Sequence, residues 1–206
     1  MAPGAKQMMT WEFQHAQEAM ERGIYVTWKS SANKEDCFRV GSNSRCFCGH
    51  MFPEHDCSLT KKSTKTQCSK CPCKGFSFIP RRPEEVGMDW LPRRKGFNVH
   101  QWRPSCKCKH THEEHAPTAG SKCKACSCFS FQSDFACISC DRSWEEHETL
   151  YEFEGERASQ GKKIGPAYMP LSDNPEIQAI TMKQLKLGQQ PQSLEEEMAL
   201  MSLSHG

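Results

Sequence analysis

The string Cys46-x-Cys48-x-His50-x4-His55 recurs sixty positions later as Cys106-x-Cys108-x-His110-x4-His115, with every interval preserved. Each copy is followed by a second cluster of one form, Cys68-x2-Cys71-x-Cys73 and then Cys123-x2-Cys126-x-Cys128. Phe76-Ser77-Phe78 trails the first cluster and Phe129-Ser130-Phe131 the second, each reading as a short strand that carries aromatic cover. A shortened third copy, Cys137-x2-Cys140-x6-His147, repeats the Cys-to-His step of Cys48 to His55 and Cys108 to His115. Thiols and imidazoles at repeated short intervals are the donors of metal sites, and these seventeen residues form the candidate ligand set.

Zinc is the expected ion, since mixed sulfur and imidazole donors suit its tetrahedral structural sites. Seventeen donors at about four per site give three to four ions. Pairing is harder to read. In an extended strand Cys46, Cys48 and His50 face one way but spread over roughly 13 Å, too far for one ion. Either the strand bends sharply or neighbouring donors serve neighbouring ions through a bridging thiolate. One tiling joins Cys73 to Cys106, Cys108 and His115, and Cys128 to Cys137, Cys140 and His147. His50 and His110 are the least constrained donors, because the third copy has Arg142 at that place. Cys37 and Cys57 fall outside the repeat and read as buried thiols, with the alternative that either completes the first block; His112 reads as a solvated loop residue and His100 as partly buried. Glu113-Glu114 and Glu145-Glu146, beside His115 and His147, are candidate acceptors for the ring nitrogen turned away from the metal.

The same residues do not assemble a catalytic motif. A zinc deaminase needs His-x-Glu and, well downstream, Pro-Cys-x2-Cys, whereas Cys123 follows Lys122 only eleven positions after His112. His112-Glu113-Glu114-His115 is one residue short of the metalloprotease helix motif. No catalytic residue and no organic-cofactor site is therefore expected, and the chain reads as a non-enzyme.

The elements that must position these donors have little apolar material. The chain has 206 residues, 14 Cys and 9 His, with 36% hydrophobic residues. From Cys37 to His147 its only aliphatic Val, Leu or Ile residues are Val40, Leu59, Ile79, Val86, Leu91, Val99 and Ile138. So small an aliphatic core needs cross-links to fold. Thr10 to Arg22 reads as a capped helix with Phe13, Ala16 and Met20 on one face and Gly23 as its stop. Ile24 to Trp28 reads as a strand. Cys37 to Val40, a Gly41–Ser44 turn and Arg45 to Cys48 read as a hairpin leading into the first cluster. The expected fold is a small, metal-stabilised, irregular α+β domain of repeated Cys/His zinc-binding hairpins with short strands, an N-terminal helix and a disordered C-terminal tail. Its expected boundaries are a disordered 1–9, a Cys/His-rich domain over 10–155 and a mostly disordered tail over 156–206. Within the domain lie blocks 46–78 and 106–131, a partial block 137–147 and a basic linker 80–105. Pro175 to Leu187 and Ser193 to Leu203 are short helical candidates in the tail.

Charge is unevenly spread. From Ser58 to Lys109 thirteen Lys or Arg face three acids, and Arg93-Arg94-Lys95 and Arg103 lie near Trp90, Phe97 and Trp102. That mixture suits either an acidic protein surface or nucleic acid, the latter by phosphate pairing and base stacking. No run approaches the roughly 20 apolar residues of a membrane span, and no apolar signal segment precedes Trp11. A reducing compartment, cytoplasmic or nuclear, is therefore expected, with ciliary scaffolds one place such a protein could serve.

The strings Arg45-Cys46-Phe47-Cys48-Gly49-His50, Phe78-Ile79-Pro80-Arg81-Arg82-Pro83-Glu84-Glu85-Val86-Gly87, Cys106-Lys107-Cys108-Lys109-His110 and Trp144-Glu145-Glu146-His147-Glu148-Thr149, with Asp36-Cys37-Phe38-Arg39, carry a resemblance. Over residues 11–155 the chain resembles the animal family with sequence similarity 221, on the side of its B-type members. The resemblance implies one continuous Cys/His-rich domain and no particular activity. The expectation is thus a non-catalytic zinc-binding interaction module with a protein partner, and the competing expectation is a nucleic-acid-binding zinc protein using residues 58–109.

Overall fold

Phe13, Ala16 and Ala19 recur one helical turn apart, and this row is the face that the N-terminal helix buries. The computed structural model describes residues 3–56, 66–117 and 121–170. Helix α1 spans Pro3–Arg22. It starts one turn and more ahead of the expected Thr10 cap, so residues 3–9 are helical rather than irregular. Proline is well suited to that first position, where its missing N–H would have had no helical partner. The helix stops at Gly23, as its sequence predicts.

Five strands follow: β1 (Ile24–Ser30), β2 (Phe38–Arg39), β3 (Arg45–Cys46), β4 (Phe78–Ile79) and β5 (His147–Phe153). They form two antiparallel sheets, one ordered β2-β1-β5 and one pairing β3 with β4. The segment from Cys37 to Cys48 is accordingly not a hairpin. Its first arm pairs with β1 and its second with β4, and the two arms pack on one shared apolar cluster in which Trp28, Phe38 and Phe78 touch one another. The first Phe-Ser-Phe stretch leads into β4, but the second holds no strand and leaves Phe129 80% exposed while Phe131 is buried.

β5 pairs with β1 over its whole length, from Ile24 opposite Phe153 to Ser30 opposite His147. Beyond it, helix α2 (Glu154–Ser159) and a 3-10 turn at Gly165–Tyr168 return to the start of the chain. Order therefore extends past the boundary expected at 155. Tyr168 packs edge-on against Tyr25, and Arg157, itself buried, bridges Asp36 at 2.8 Å and Glu152 at 2.6 Å. The two tail helices expected at 175–187 and 193–203 lie outside the described residues, as does Cys57.

The core is largely aromatic: Trp28, Phe38 and Phe78 join the two sheets, and a second cluster gathers round Phe47 and Phe131. Phe47 stacks on Trp144 and meets Phe131 edge-on, and Trp144 donates its indole N–H to the Phe78 carbonyl at 2.6 Å. Phe47, Phe131 and Trp144 come from the first, second and third copies of the repeat, so this contact joins all three. His112 is buried here against Phe47 instead of lying in solvent, and burial beside Arg45 and Arg103 pushes its pKa down to about 3. His100, by contrast, is exposed. No described helix is long and apolar enough to cross a membrane.

Candidate metal centres

Each copy of the repeat folds the same way. After the second cysteine the backbone turns through a left-handed residue, Gly49 (φ 90°) or Lys109 (φ 72°), whose own N–H closes the turn on the carbonyl of Cys46 or Cys106 at 2.8 Å. The N–H of the first cysteine then bonds the carbonyl of His50 or His110, again at 2.8 Å. The third copy uses Asp141 (φ 57°) in a turn one residue longer. Cys-x-Cys-x-His is thus sharply bent and can point its donors at a common centre.

A 3-10 turn follows in each copy, at Phe52–Glu54, His112–Glu114 and Trp144–Glu146. Its last glutamate caps its own N-terminal N–H, from Met51, Thr111 or Ser143, at 2.7 to 3.0 Å. The histidine that ends the turn donates Nδ1–H to the carbonyl four residues back: His55 to Met51 and His115 to Thr111 at 2.9 Å, His147 to Ser143 at 2.8 Å. A carbonyl can only accept, so the bond leaves the Nε2 lone pair free for a metal. The expected carboxylate acceptors do not fill this role. Glu114 and Glu146 cap turns, Glu113 pairs with Arg103, and Glu145 accepts from Ser133, since a backbone carbonyl already sits where the ring points.

Five groups of four donors result, the donor atoms of each lying within 4.8 Å of one another. In the first block Cys46, Cys48, His55 and Cys73 form an inner group and Cys48, His50, Cys68 and Cys71 an outer one. The second block repeats this with Cys106, Cys108, His115 and Cys128, and with Cys108, His110, Cys123 and Cys126. The fifth group is Cys37, Cys137, Cys140 and His147. All seventeen residues singled out from the sequence take part, and Cys48 and Cys108 each belong to two groups.

Two readings from sequence need correction. The tiling that joined one block to the next does not occur: Cys73 closes the first block, and Cys128 the second, because the loops fold back at Gly75 and Ser130. Cys37 is no isolated buried thiol. Its N–H is held by Trp28 at 3.0 Å, and its sulfur reaches 3.6 Å from His147 Nε2. The missing fourth donor of the third copy was the available signal for it.

The spacing within the groups fits zinc. A tetrahedron with Zn–S near 2.3 Å and Zn–N near 2.0 Å has edges of roughly 3.8 Å between sulfurs and 3.5 Å between sulfur and nitrogen. Cys46 and Cys73 sulfurs are 3.9 Å apart, and those of Cys106 and Cys128 are 4.0 Å apart. Sulfur to imidazole distances are 3.5 Å for Cys48 to His50, 3.6 Å for Cys48 to His55 and 3.2 Å for Cys140 to His147. The sulfur pairs are far outside the roughly 2.05 Å of a disulfide.

Backbone N–H groups also point at the sulfurs. Ser77 N–H lies 3.3 Å from Cys46 and Lys70 N–H 3.4 Å from Cys68, and Gln132 and Ala125 repeat both contacts on Cys106 and Cys123. Such donors favour thiolates. Bonds from Cys46 and Cys48 draw the Cys73 thiol far below its ordinary value, while those to Cys46 and Cys73 push Cys48 far above it. Burial opposes charge on His55, yet bonds to the Cys46 and Cys73 sulfurs outweigh it and carry that imidazole up to about 10. Protons are shared among donors crowded round one point, which is where a divalent ion would displace them.

Comparison with known proteins agrees with the strings that carried the resemblance. The family model described as "Protein FAM221A/B" matches residues 5–192. Protein FAM221B of Mus musculus is 46% identical over 158 residues, covering 76% of this chain and 32% of that protein. Protein FAM221B of Homo sapiens is 44% identical over 160 residues, 77% of this chain and 40% of its own length. Protein FAM221A of Xenopus laevis is 30% identical over 154 residues, 71% of this chain and 45% of its length. The chain therefore spans less than half of these relatives. No solved structure matches.

Proposed function

The chain belongs to the FAM221 family, and from that premise we propose that it is a non-catalytic interaction scaffold held together by five zinc ions. Four ions are paired in two blocks, bridged by the Cys48 and Cys108 thiolates, and the fifth closes the β1–β5 sheet at His147. The three or four ions inferred from spacing rise to five because two shared sulfurs let eighteen residues fill twenty positions.

The observation that carries this reading is the closure of every group. Each offers four protein donors, so no position is left for water or substrate, and structural rather than catalytic zinc has that character. Thirteen thiolates around five divalent ions leave three negative charges, which the N–H donors at the sulfurs help to offset. Exposed Trp90, Phe129 and Ile138 offer apolar contact to a protein partner. Ligand thiols must stay reduced, so the reading entails a cytoplasmic or nuclear setting.

Cobalt substitution with native mass spectrometry is the test. Five ions with tetrahedral absorption, unchanged by azide or cyanide, are expected; an ion that takes up either anion has an open position and overturns the structural role. A second reading rests on one observation: the Trp90 ring is 57% exposed, with the Arg94 guanidinium 5.4 Å from its centroid, in the basic stretch. Binding of single-stranded RNA or DNA with a steep salt dependence, weakened by Arg93→Gln, Arg94→Gln and Lys95→Gln together, would favour a nucleic-acid role.

A further inference from the structure

Away from the metal groups, α1, β3 and the loops at 81–82 and 99–100 enclose a cavity of about 360 Å³. Its charged wall is Arg45, Arg81 and Arg82, with exposed His100 at the rim and the Trp11 and Val99 side chains forming an apolar side. The three arginines are not equally provided for. Arg82 pairs with Glu84 at 3.0 Å and donates to Gln7 at 2.7 Å. Among the described residues the Arg81 guanidinium donates only to the Asn43 carbonyl, at 3.3 Å. Arg45 has Nε and Nη1 shut away from solvent with no hydrogen-bond partner among the described residues. Neither Arg45 nor Arg81 forms an ion pair among the described residues.

The nearby carboxylates Glu85 and Glu113 offset this charge only in part. Glu113 is committed to Arg103 at 2.6 Å. Glu85 is fully buried, accepts from the backbone N–H of Arg81 and Arg82, and is pushed by burial up to about 7, so it is partly protonated near neutrality. Arg81 and Arg45 meanwhile repel each other, and Arg103 adds to the repulsion. The Trp11 ring fixes the guanidinium planes from one side, with Arg81 5.0 Å and Arg82 5.8 Å from its centroid. Two held guanidiniums, balanced only in part by Glu85 and Glu113, line a concave site and match a doubly charged anion, and the rigid fork of arginine suits phosphate oxygens.

We propose that this cavity binds a small phosphomonoester, with Arg45 and Arg81 holding the phosphate and the Trp11–Val99 side receiving its organic part. The volume is at the lower end of the roughly 300–1,000 Å³ typical of small-molecule sites, which favours a solute over a polymer. The phosphate could be free or carried by a lipid headgroup, and the two sources are separable.

The test is isothermal titration of the metal-loaded full chain with inorganic phosphate, phenyl phosphate and, separately, vesicles carrying phosphatidylinositol phosphate. Saturable one-site binding of both small probes is expected, phenyl phosphate being the tighter. Arg81→Gln and Arg45→Gln should each weaken it by about tenfold or more, the worth of a charge-assisted bond, while Arg22→Gln, at an exposed residue outside the cavity, leaves it unchanged. Because Arg45 adjoins a metal ligand, Arg81→Gln, checked for unchanged metal content, is the deciding variant. Vesicle binding that loses its strength in the same variant supports the site and identifies a lipid source. No saturable binding, binding that survives in Arg81→Gln, or phosphate uptake accompanied by metal loss would overturn the proposal, as would binding confined to oligonucleotides.

Discussion

The Trp28 indole lies face to face on the His147 imidazole, with centroids 3.9 Å apart and planes 14° from parallel. A core aromatic of the three-stranded sheet is thereby in direct contact with a donor of the fifth group. Truncating it removes both a fully buried ring and the support of that donor. Trp28→Ala should destabilise the domain by about 3–5 kcal/mol, and the variant should carry one zinc fewer than the parent. Denaturant melts with zinc analysis check this; full stability with five ions would break the link between sheet and site.

The shared sulfurs make a counting prediction. Cys48 serves two groups and Cys46 only one, so Cys48→Ala should lose two ions and Cys46→Ala one. Cys108→Ala and Cys106→Ala should behave alike in the second block. Native mass spectra of the four variants decide it, and equal losses from Cys48→Ala and Cys46→Ala would rule out bridging.

Chelation should empty the centres in order of exposure. Cys126 is exposed while Cys106, His115 and Cys46 are buried, so the outer group of the second block should release its ion first and with little loss of secondary structure. Release of the inner ions should abolish cooperative unfolding, because a chain this poor in aliphatic residues depends on metal binding to fold. A time course with a zinc chelator, followed by mass spectrometry and circular dichroism, would expose any contrary order.

Glu85 gives the pH dependence. Its pKa is raised by burial from the ordinary 4.5 to about 7. The folded protein therefore holds this proton more tightly than the unfolded chain, and the stabilising contribution is complete below about 4.5 and lost as pH rises through about 7. The loss is on the order of 3 kcal/mol between those limits. Glu85→Gln should flatten that part of the profile, and the comparison of the two proteins at matched zinc saturation removes the separate effect of acid on the metal. An unchanged slope in the variant would refute the assignment.

The donors were legible in the sequence because ligand spacing is local, and three copies of one interval mark them. Their pairing was not, since it depends on where the loops fold back: the left-handed turns at Gly49 and Lys109 bend a stretch that reads as extended. Cys37 escaped because it lies outside the repeat and reaches the third copy only through the β1–β2 pairing. β5 escaped too: Glu148 and Glu152 alternate with Thr149, Tyr151 and Phe153 as a strand requires, but the stretch adjoins the third Cys/His copy and nothing in it identifies β1 as its partner. The aromatic junction of Phe47, Phe131 and Trp144 is likewise long-range, and the scarcity of aliphatic residues pointed to cross-links rather than to such a core.

Pairing β1 with β5 places the two sides of one sheet at opposite ends of the metal-bearing region. During synthesis both blocks of four-donor groups are translated before residue 147, while one edge of β1 waits uncovered. An uncovered edge is a template for any matching strand. Two nascent copies on one messenger could therefore exchange their closing strands, and the clasp that completes a single molecule is also where a swapped dimer would begin.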